Sequence, residues 1–235
     1  MIPNYVVIPF RGKLDMTSDI VHELALQGEC DAILAFNNGP PEYLDWPCKI
    51  FDAEDWNLHI MFNVGIEMAR TYTKSPEFNV GVFNNDITIR DHFISRLAEG
   101  LRGDDKLAAV CGSGDYSTDG NPVVRRVRSG NGFEGPTMFV KGELPFRFDE
   151  QFEWWYGDCD YAAQVESAGL WLGQVPDAHF IHIDGGSVTT KEYASQVDYW
   201  AGCHRDTERF FKKWPMVPEG GQCIPQEWLD SHLGV

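Results

Sequence analysis

The sequence predicts an α/β protein. Over residues 1–111, apolar runs of strand length alternate with amphipathic runs of helix length, and turn residues break the runs. Strand alternating with helix is the signature of a parallel sheet with right-handed crossovers, so this stretch reads as a doubly wound half. The 235 residues, 43% hydrophobic and 23% charged, suffice for one sizeable core or two small ones; disorder, collagen-like repeats and coiled coil are excluded.

Tyr5-Val6-Val7-Ile8, bounded by Pro9 and Arg11-Gly12-Lys13, is a buried strand. Ile20, Val21, Leu24 and Ala25 follow at helical spacing, with Thr17 and Ser18 as available N-caps, Asp19 at the positive helix end and Gly28 as the stop. A second strand, Ala32 to Phe36, breaks at Asn37-Asn38-Gly39-Pro40-Pro41, and a short run follows at Lys49-Ile50-Phe51. A helix from Leu58 to Tyr72 turns Met61, Val64, Met68 and Tyr72 inward and leads to a strand over Val80–Phe83. Asp91 is expected to cap a helix carrying Phe93, Ile94, Leu97 and Leu101, before a strand from Leu107 to Cys111.

Gly112 to Gly135 is rich in Gly, Ser, Asn and Asp and reads as a loop insertion with one strand candidate, Val123 to Val127. Next come a strand over Thr137–Lys141, an aromatic stretch from Phe146 to Tyr156, a helix from Asp158 to Ala168, and two short runs, Trp171–Val175 and His179–Ile183. Beyond Ser187 a helical tail sets Tyr193, Val197 and Trp200 on one face. There is no internal repeat. The expected organisation is one domain over 1–187, with halves 1–111 and 112–187, and a helical extension over 188–235 packed on the core.

Lys and Arg number 19 against 36 Asp and Glu, a formal charge of -17, which repels a phosphate backbone and argues against nucleic acid as a partner. No apolar run reaches spanning length, and MIPNYVVIPF lacks the layout of a secretory signal, so no stable membrane insertion and a soluble, cytoplasmic protein are expected. Cys30, Cys48, Cys111, Cys159, Cys203 and Cys223 lack metal-ligand spacing and read as reduced thiols. Arg125, Arg126 and Arg128 either bind a phosphate or acidic acceptor or form a solvated strand face. Trp200, Phe210, Phe211, Lys212, Lys213 and Trp214 suit packing of a terminal helix on the core better than contact with a membrane surface. The absence of GxSxG, P-loop and GxGxxG motifs counts against hydrolase, NTPase and dinucleotide-binding readings.

Three constellations carry potential chemistry. Phe83-Asn84-Asn85-Asp86 puts a carboxylate and two carboxamides where an apolar strand ends, the edge of an open α/β sheet at which ligands bind. A hard divalent cation is one reading, an Asx-turn the other. Asp149 to Asp160 packs five carboxylates among aromatics that offer flat walls to sugar rings. There Asp158 or Asp160 is a general base or a helix N-cap. In Ala178 to Ser187, His182 and Asp184 fall on one strand face, as metal ligands or as hydrogen-bonded structural residues.

In this order the pieces resemble the GT-A fold glycosyltransferases, especially the large inverting family often called family 2. VVIPFRGK looks like its first strand and donor loop, AFNNG like its second-strand turn, and NLHIMFNVGIEMA like its Asn-x-Gly helix. VFNNDI is similar to its metal motif, GPTMFVKGELPFRFDEQF to its acceptor-side strand, WYGDCDYAAQVESAG to its Glu-Asp helix, and VPDAHFIHIDGGS to the strand that ends at a His. The resemblance spans residues 4 to 187. It implies a GT-A (Rossmann-like) fold with a mixed, mainly parallel sheet flanked by helices. It also implies sugar transfer from a nucleotide-diphosphate sugar donor to a glycan or protein acceptor.

By position, the resemblance makes Asp86 the metal-binding carboxylate for Mn²⁺ or Mg²⁺, His182 a second ligand and Asp158 the catalytic base. Pro9, Phe10, Arg11, Asn38, Asn57, Asn84 and Asn85 would lie along the donor, and Trp154, Trp155, Tyr156 and Asp160 on the acceptor side. The chain departs from the family pattern at Asn84, which replaces an Asp, and at Gly157, which replaces the Glu before the base, with Glu153 or Asp160 left to serve as supporting carboxylate. A retaining transferase on the same fold, or a carbohydrate-binding module without activity, is the alternative.

Overall fold

β1 (Asn4–Phe10) is buried along its whole length because both faces of this strand are covered, as its unbroken apolar run requires. Val6 and Ile8 face one hydrophobic cluster, and Tyr5 and Val7 face another, which is the period-2 alternation of a strand at the centre of three layers. The computed structural model describes residues 2–39, 45–114, 124–127, 132–183 and 197–215.

The remaining elements are α1 (Leu14–Gln27), β2 (Ala32–Asn37), β3 (Lys49–Asp52), α2 (Leu58–Tyr72), β4 (Asn79–Phe83), β5 (Ile87–Ile89), α3 (Phe93–Arg102), β6 (Leu107–Ser113), β7 (Arg125–Val127), β8 (Thr137–Lys141), α4 (Gly157–Ser167), β9 (Trp171–His182) and α5 (Val197–Lys213). Among the described residues the strands form one nine-stranded sheet in the order β3-β2-β1-β4-β8-β6-β9-β5, with β7 also on β9. The pairings run β1, β2, β3, β4, β6 and β9 in one direction, and β5, β7 and β8 against them. This is the mixed, mainly parallel sheet flanked by helices that the sequence leads one to expect.

Met61, Phe62, Ile66 and Ala69 of α2 and Tyr161, Ala162 and Val165 of α4 cover one face. Ile20, Val21 and Leu24 of α1 and Phe93, Ile94, Leu97 and Leu101 of α3 cover the other. Each such aliphatic or aromatic side chain contributes about 1.5–3 kcal/mol on full burial, which fixes the helices on the sheet. α5 docks separately, through Phe210 against Phe152, Tyr156 and Cys159.

Several local expectations are corrected. Thr17 and Ser18 lie inside α1, whose N-cap is Lys13 in the left-handed region, and the Thr17 hydroxyl instead donates to the Lys13 carbonyl. Gly28 does end that helix, at φ 63°, a conformation glycine adopts without steric cost. Asp91 does not cap α3; its first N–H groups go to Gln27 and Glu29 from the end of α1, with His92 left-handed at the cap. The two runs after α4 are one strand, β9, irregular where it meets β6. β5 had no counterpart in the sequence pattern; three residues are too few to show a period.

Cys30, Cys48, Cys111 and Cys203 are free thiols, whereas Cys159 is disulfide-bonded, which corrects the reading of every cysteine as reduced. Val123, Arg128, Asp184, Tyr193 and Cys223 lie outside the described residues. Arg126 sits over the Trp171 ring, 4.5 Å from its centroid. No helix of the described residues is long and apolar enough to cross a membrane.

Candidate functional site

The parallel strands deliver their carboxyl ends to one edge of the sheet, and β8 starts there because Thr137 pairs with Phe83 at the end of β4. Asn84 follows, its backbone N–H donated to the Pro136 carbonyl at 3.0 Å. Asn84, Gly135 and Pro136 form one wall of a cavity of about 440 Å³, closed by Leu58, His59, Phe62, Met138 and Phe148 and by the run Trp154 to Asp158.

Asp158 enters this cavity from the first turn of α4, a helix whose cap, Tyr156, is left-handed and gives no side-chain hydrogen bond. Asp158 Oδ1 accepts the Cys159 N–H at 2.9 Å. Its Oδ2 stands 2.6 Å from where a Cβ on Gly135 would be, so residue 135 must be glycine for the carboxylate to sit here. Burial pushes the Asp158 carboxyl above its ordinary value, partly offset by the Cys159 N–H and the nearby His59. A carboxylate with raised proton affinity facing a cavity can serve as a general base near neutral pH.

His59 was not singled out by the sequence, where a single helical histidine carries no signal. It lies in the first turn of α2, which Asn57 caps by accepting the N–H groups of His59 and Ile60 at 3.0 and 2.9 Å. The imidazole is 3% exposed, and its Nδ1 is 2.7 Å from the Phe152 carbonyl oxygen. Burial lowers its pKa, against the opposing pull of that hydrogen bond and of Asp158, Asp206 and Asp149.

The aromatic wall is clamped from behind. Asp206 of α5 is fully buried, and its carboxylate accepts the backbone N–H groups of Glu153, Trp154 and Trp155 at 2.7–3.0 Å. Trp155 donates its indole N–H to the Tyr199 hydroxyl, and Trp154 meets the Tyr199 ring edge-on, which leaves Trp154 37% exposed at the cavity. Asp206 is a second residue the sequence left unmarked, because its partner loop lies far away in the chain.

Asp86 and His182 are brought together: Ile87 of β5 pairs with His182 of β9, and His182 Nε2 lies 3.1 Å from Asp86 Oδ1. Asp86 is 5% exposed. One oxygen and one nitrogen donor fit a divalent cation that keeps its other positions for water and ligand oxygens. Among the described residues no group of three or more His, Cys, Asp or Glu gathers at one point.

The other sequence candidates divide. Asn84 lines the cavity, whereas Asn85 donates to the Thr17 hydroxyl at 2.9 Å. Pro9 and Phe10 are buried in β1, with Phe10 against Trp46, and Arg11 is exposed beyond the strand end. Asn38 donates to the Trp56 carbonyl, and Asn57, besides its cap, donates to that of Glu150. Asp160 faces away from the cavity and is fully buried, its oxygens taken by Gln164, Lys213 and Trp214. It anchors α5, and Glu153 is likewise occupied by Arg205.

No protein-family model matches the chain, and no curated protein matches it in sequence. Among solved structures, it is similar to a mutant of Drosophila beta-1,4-galactosyltransferase 7 in complex with manganese, UDP-Gal and xylobiose. That likeness has a TM-score of 0.44 at 13% identity, over 78% of this chain and 71% of the other.

Proposed function

We propose that the protein is a divalent-cation-dependent glycosyltransferase that moves a sugar from a nucleotide-diphosphate sugar to an acceptor hydroxyl, with inversion. The observation that carries this reading is the convergence of Asp158 and an aromatic wall on one cavity, at the sheet edge where Asn84 leads into the Asp86–His182 pair.

In this reading Asp86 and His182 hold Mn²⁺ or Mg²⁺, whose charge would favour the departing diphosphate. The exposed Trp154 stacks on a glycan ring of the acceptor and turns one hydroxyl toward Asp158, whereas the Tyr156 ring is buried against Phe210. Asp158 removes that hydroxyl's proton as the oxygen attacks the anomeric carbon from the face opposite the diphosphate, which leaves with the bonding pair. With a net charge of -17, the protein needs the cation bound with or before the donor.

Thermal unfolding against UDP, GDP, TDP, CDP and ADP, each with and without manganese, tests the reading. A ligand at 100 times its dissociation constant adds about 2.7 kcal/mol, so one nucleotide is expected to raise the midpoint only when manganese is present. No shift with any nucleotide, in a protein that unfolds cooperatively, would overturn it in favour of a carbohydrate-binding module. Proton NMR of the product anomer separates inversion from retention.

A further inference from the structure

Where the family pattern has a glutamate before the base, this chain has Gly157, and the structure shows what fills the space. A Cβ on Gly157 would lie 1.8 Å from His59 Nε2 and 2.2 Å from its Cδ2, so the imidazole occupies the volume of a side chain at 157. His59, Gly157 and Asp158 all line the cavity. Ring orientation follows from chemistry: the Phe152 carbonyl only accepts, so Nδ1 carries the hydrogen at 2.7 Å, and in the neutral ring Nε2 presents a lone pair. Among the described residues no hydrogen bond reaches Nε2. Nε2 is open to the cavity beside the base, an acceptor that a donor entering the cavity reaches.

We propose that His59 is a hydroxyl-binding residue of the acceptor subsite: its Nε2 accepts a hydrogen bond from an acceptor-sugar hydroxyl next to the one Asp158 deprotonates. This rests on the transferase reading above. A neutral imidazole suits this place better than a second carboxylate, because two ionised carboxylates side by side repel and one would take up a proton. His59 orients without competing for the proton. The subsite accordingly selects a ring with two neighbouring hydroxyls, one for each residue.

Side-chain nitrogen NMR on the full chain, labelled with ¹⁵N-histidine and ¹⁵N-tryptophan and held above pH 7, reads the contact directly. The probes are the methyl β-glycosides of glucose, galactose, xylose, mannose and N-acetylglucosamine, added with manganese and each of the five nucleotides. At least one glycoside is expected to shift the His59 Nε2 resonance upfield together with the indole signals of Trp154 and Trp155. If the indoles move and Nε2 does not, sugar binds without His59 and the proposal falls while the transferase reading stands. If no glycoside moves either signal, both fall. His59→Asn keeps a donor for the Phe152 carbonyl and removes Nε2. It is expected to weaken the responding glycoside about ten-fold and leave the nucleotide-induced thermal shift unchanged; equal affinity would overturn the assignment.

Discussion

The carboxylate of Asp206 accepts the backbone N–H of Trp154 at 2.7 Å, across 52 residues of sequence. The same carboxylate holds Glu153 and Trp155, so helix α5 determines where the aromatic wall of the cavity stands. Asp206→Ala removes the acceptor of these N–H groups and the ion-pair partner of Arg209, which keeps its bond to the Gln151 carbonyl. Each unsatisfied buried group costs about 1–3 kcal/mol, so a loss of at least about 2 kcal/mol in urea unfolding is expected, with a red-shifted tryptophan emission. An unchanged urea midpoint would remove Asp206 from this role.

Gly157→Ala is expected to destabilise, although alanine favours a helix over glycine by about 1 kcal/mol. The new methyl meets His59, which Phe152 holds in place, and overpacking of this kind costs about 1–3 kcal/mol. Combined with His59→Ala, the cost should fall short of the sum of the two single changes by about 1–3 kcal/mol. Additive effects would mean the two positions do not share space.

Asp158 makes stability depend on pH in a defined sense. Its carboxyl is raised above 3.8 in the folded protein, so the stability it contributes is whole below 3.8 and lost as pH rises through the folded value. Asp158→Asn resembles the protonated form and keeps an acceptor for the Cys159 N–H. The variant should therefore melt higher than the parent at pH 7, with the difference vanishing below pH 3.8, and should bind nucleotide but not transfer sugar. His59 acts in the opposite sense: its contribution is whole above 6.5 and lost as pH falls toward its lowered folded value.

Asp86→Asn and His182→Ala should each abolish the manganese-dependent part of the nucleotide shift while the midpoint without ligand changes little. Retention of manganese dependence in both would place the cation elsewhere.

Asn57→Ala tests the platform under His59. It removes the side-chain cap of α2 and the bond to the Glu150 carbonyl, and should cost about 1–2 kcal/mol by thermal or urea unfolding. A loss below the error of the measurement would show that the cap is dispensable.

Local chemistry was legible wherever one segment decides its own conformation. The bounds of α2, Leu58 to Tyr72, are those the sequence predicts, but of the residues expected inward only Met61 is buried; Val64 and Met68 are partly buried, Tyr72 is exposed, and Phe62, Ile66 and Ala69 complete the inner face. β1, β2 and β4 announce themselves as apolar runs because both their faces are covered. The residues alone mark Asp86, Asp158 and His182 as candidates beside structural readings, and it is the family resemblance that gives each a role.

What the chain could not state in advance is which far segment answers each polar group. Asp158 and Asp160 look alike in sequence, two residues apart at the start of one helix. The helical turn points one at the cavity and the other at Trp214 and Lys213, and only the docking of α5 turns Asp160 into an anchor. In the same way Gly157 reads as a missing carboxylate until α2 and α4 are packed and the imidazole of His59 is found in its place. Periodicity along the chain encodes which face of an element is buried. Only packing of elements far apart in sequence decides which polar groups meet there, because those contacts depend on distances between backbones.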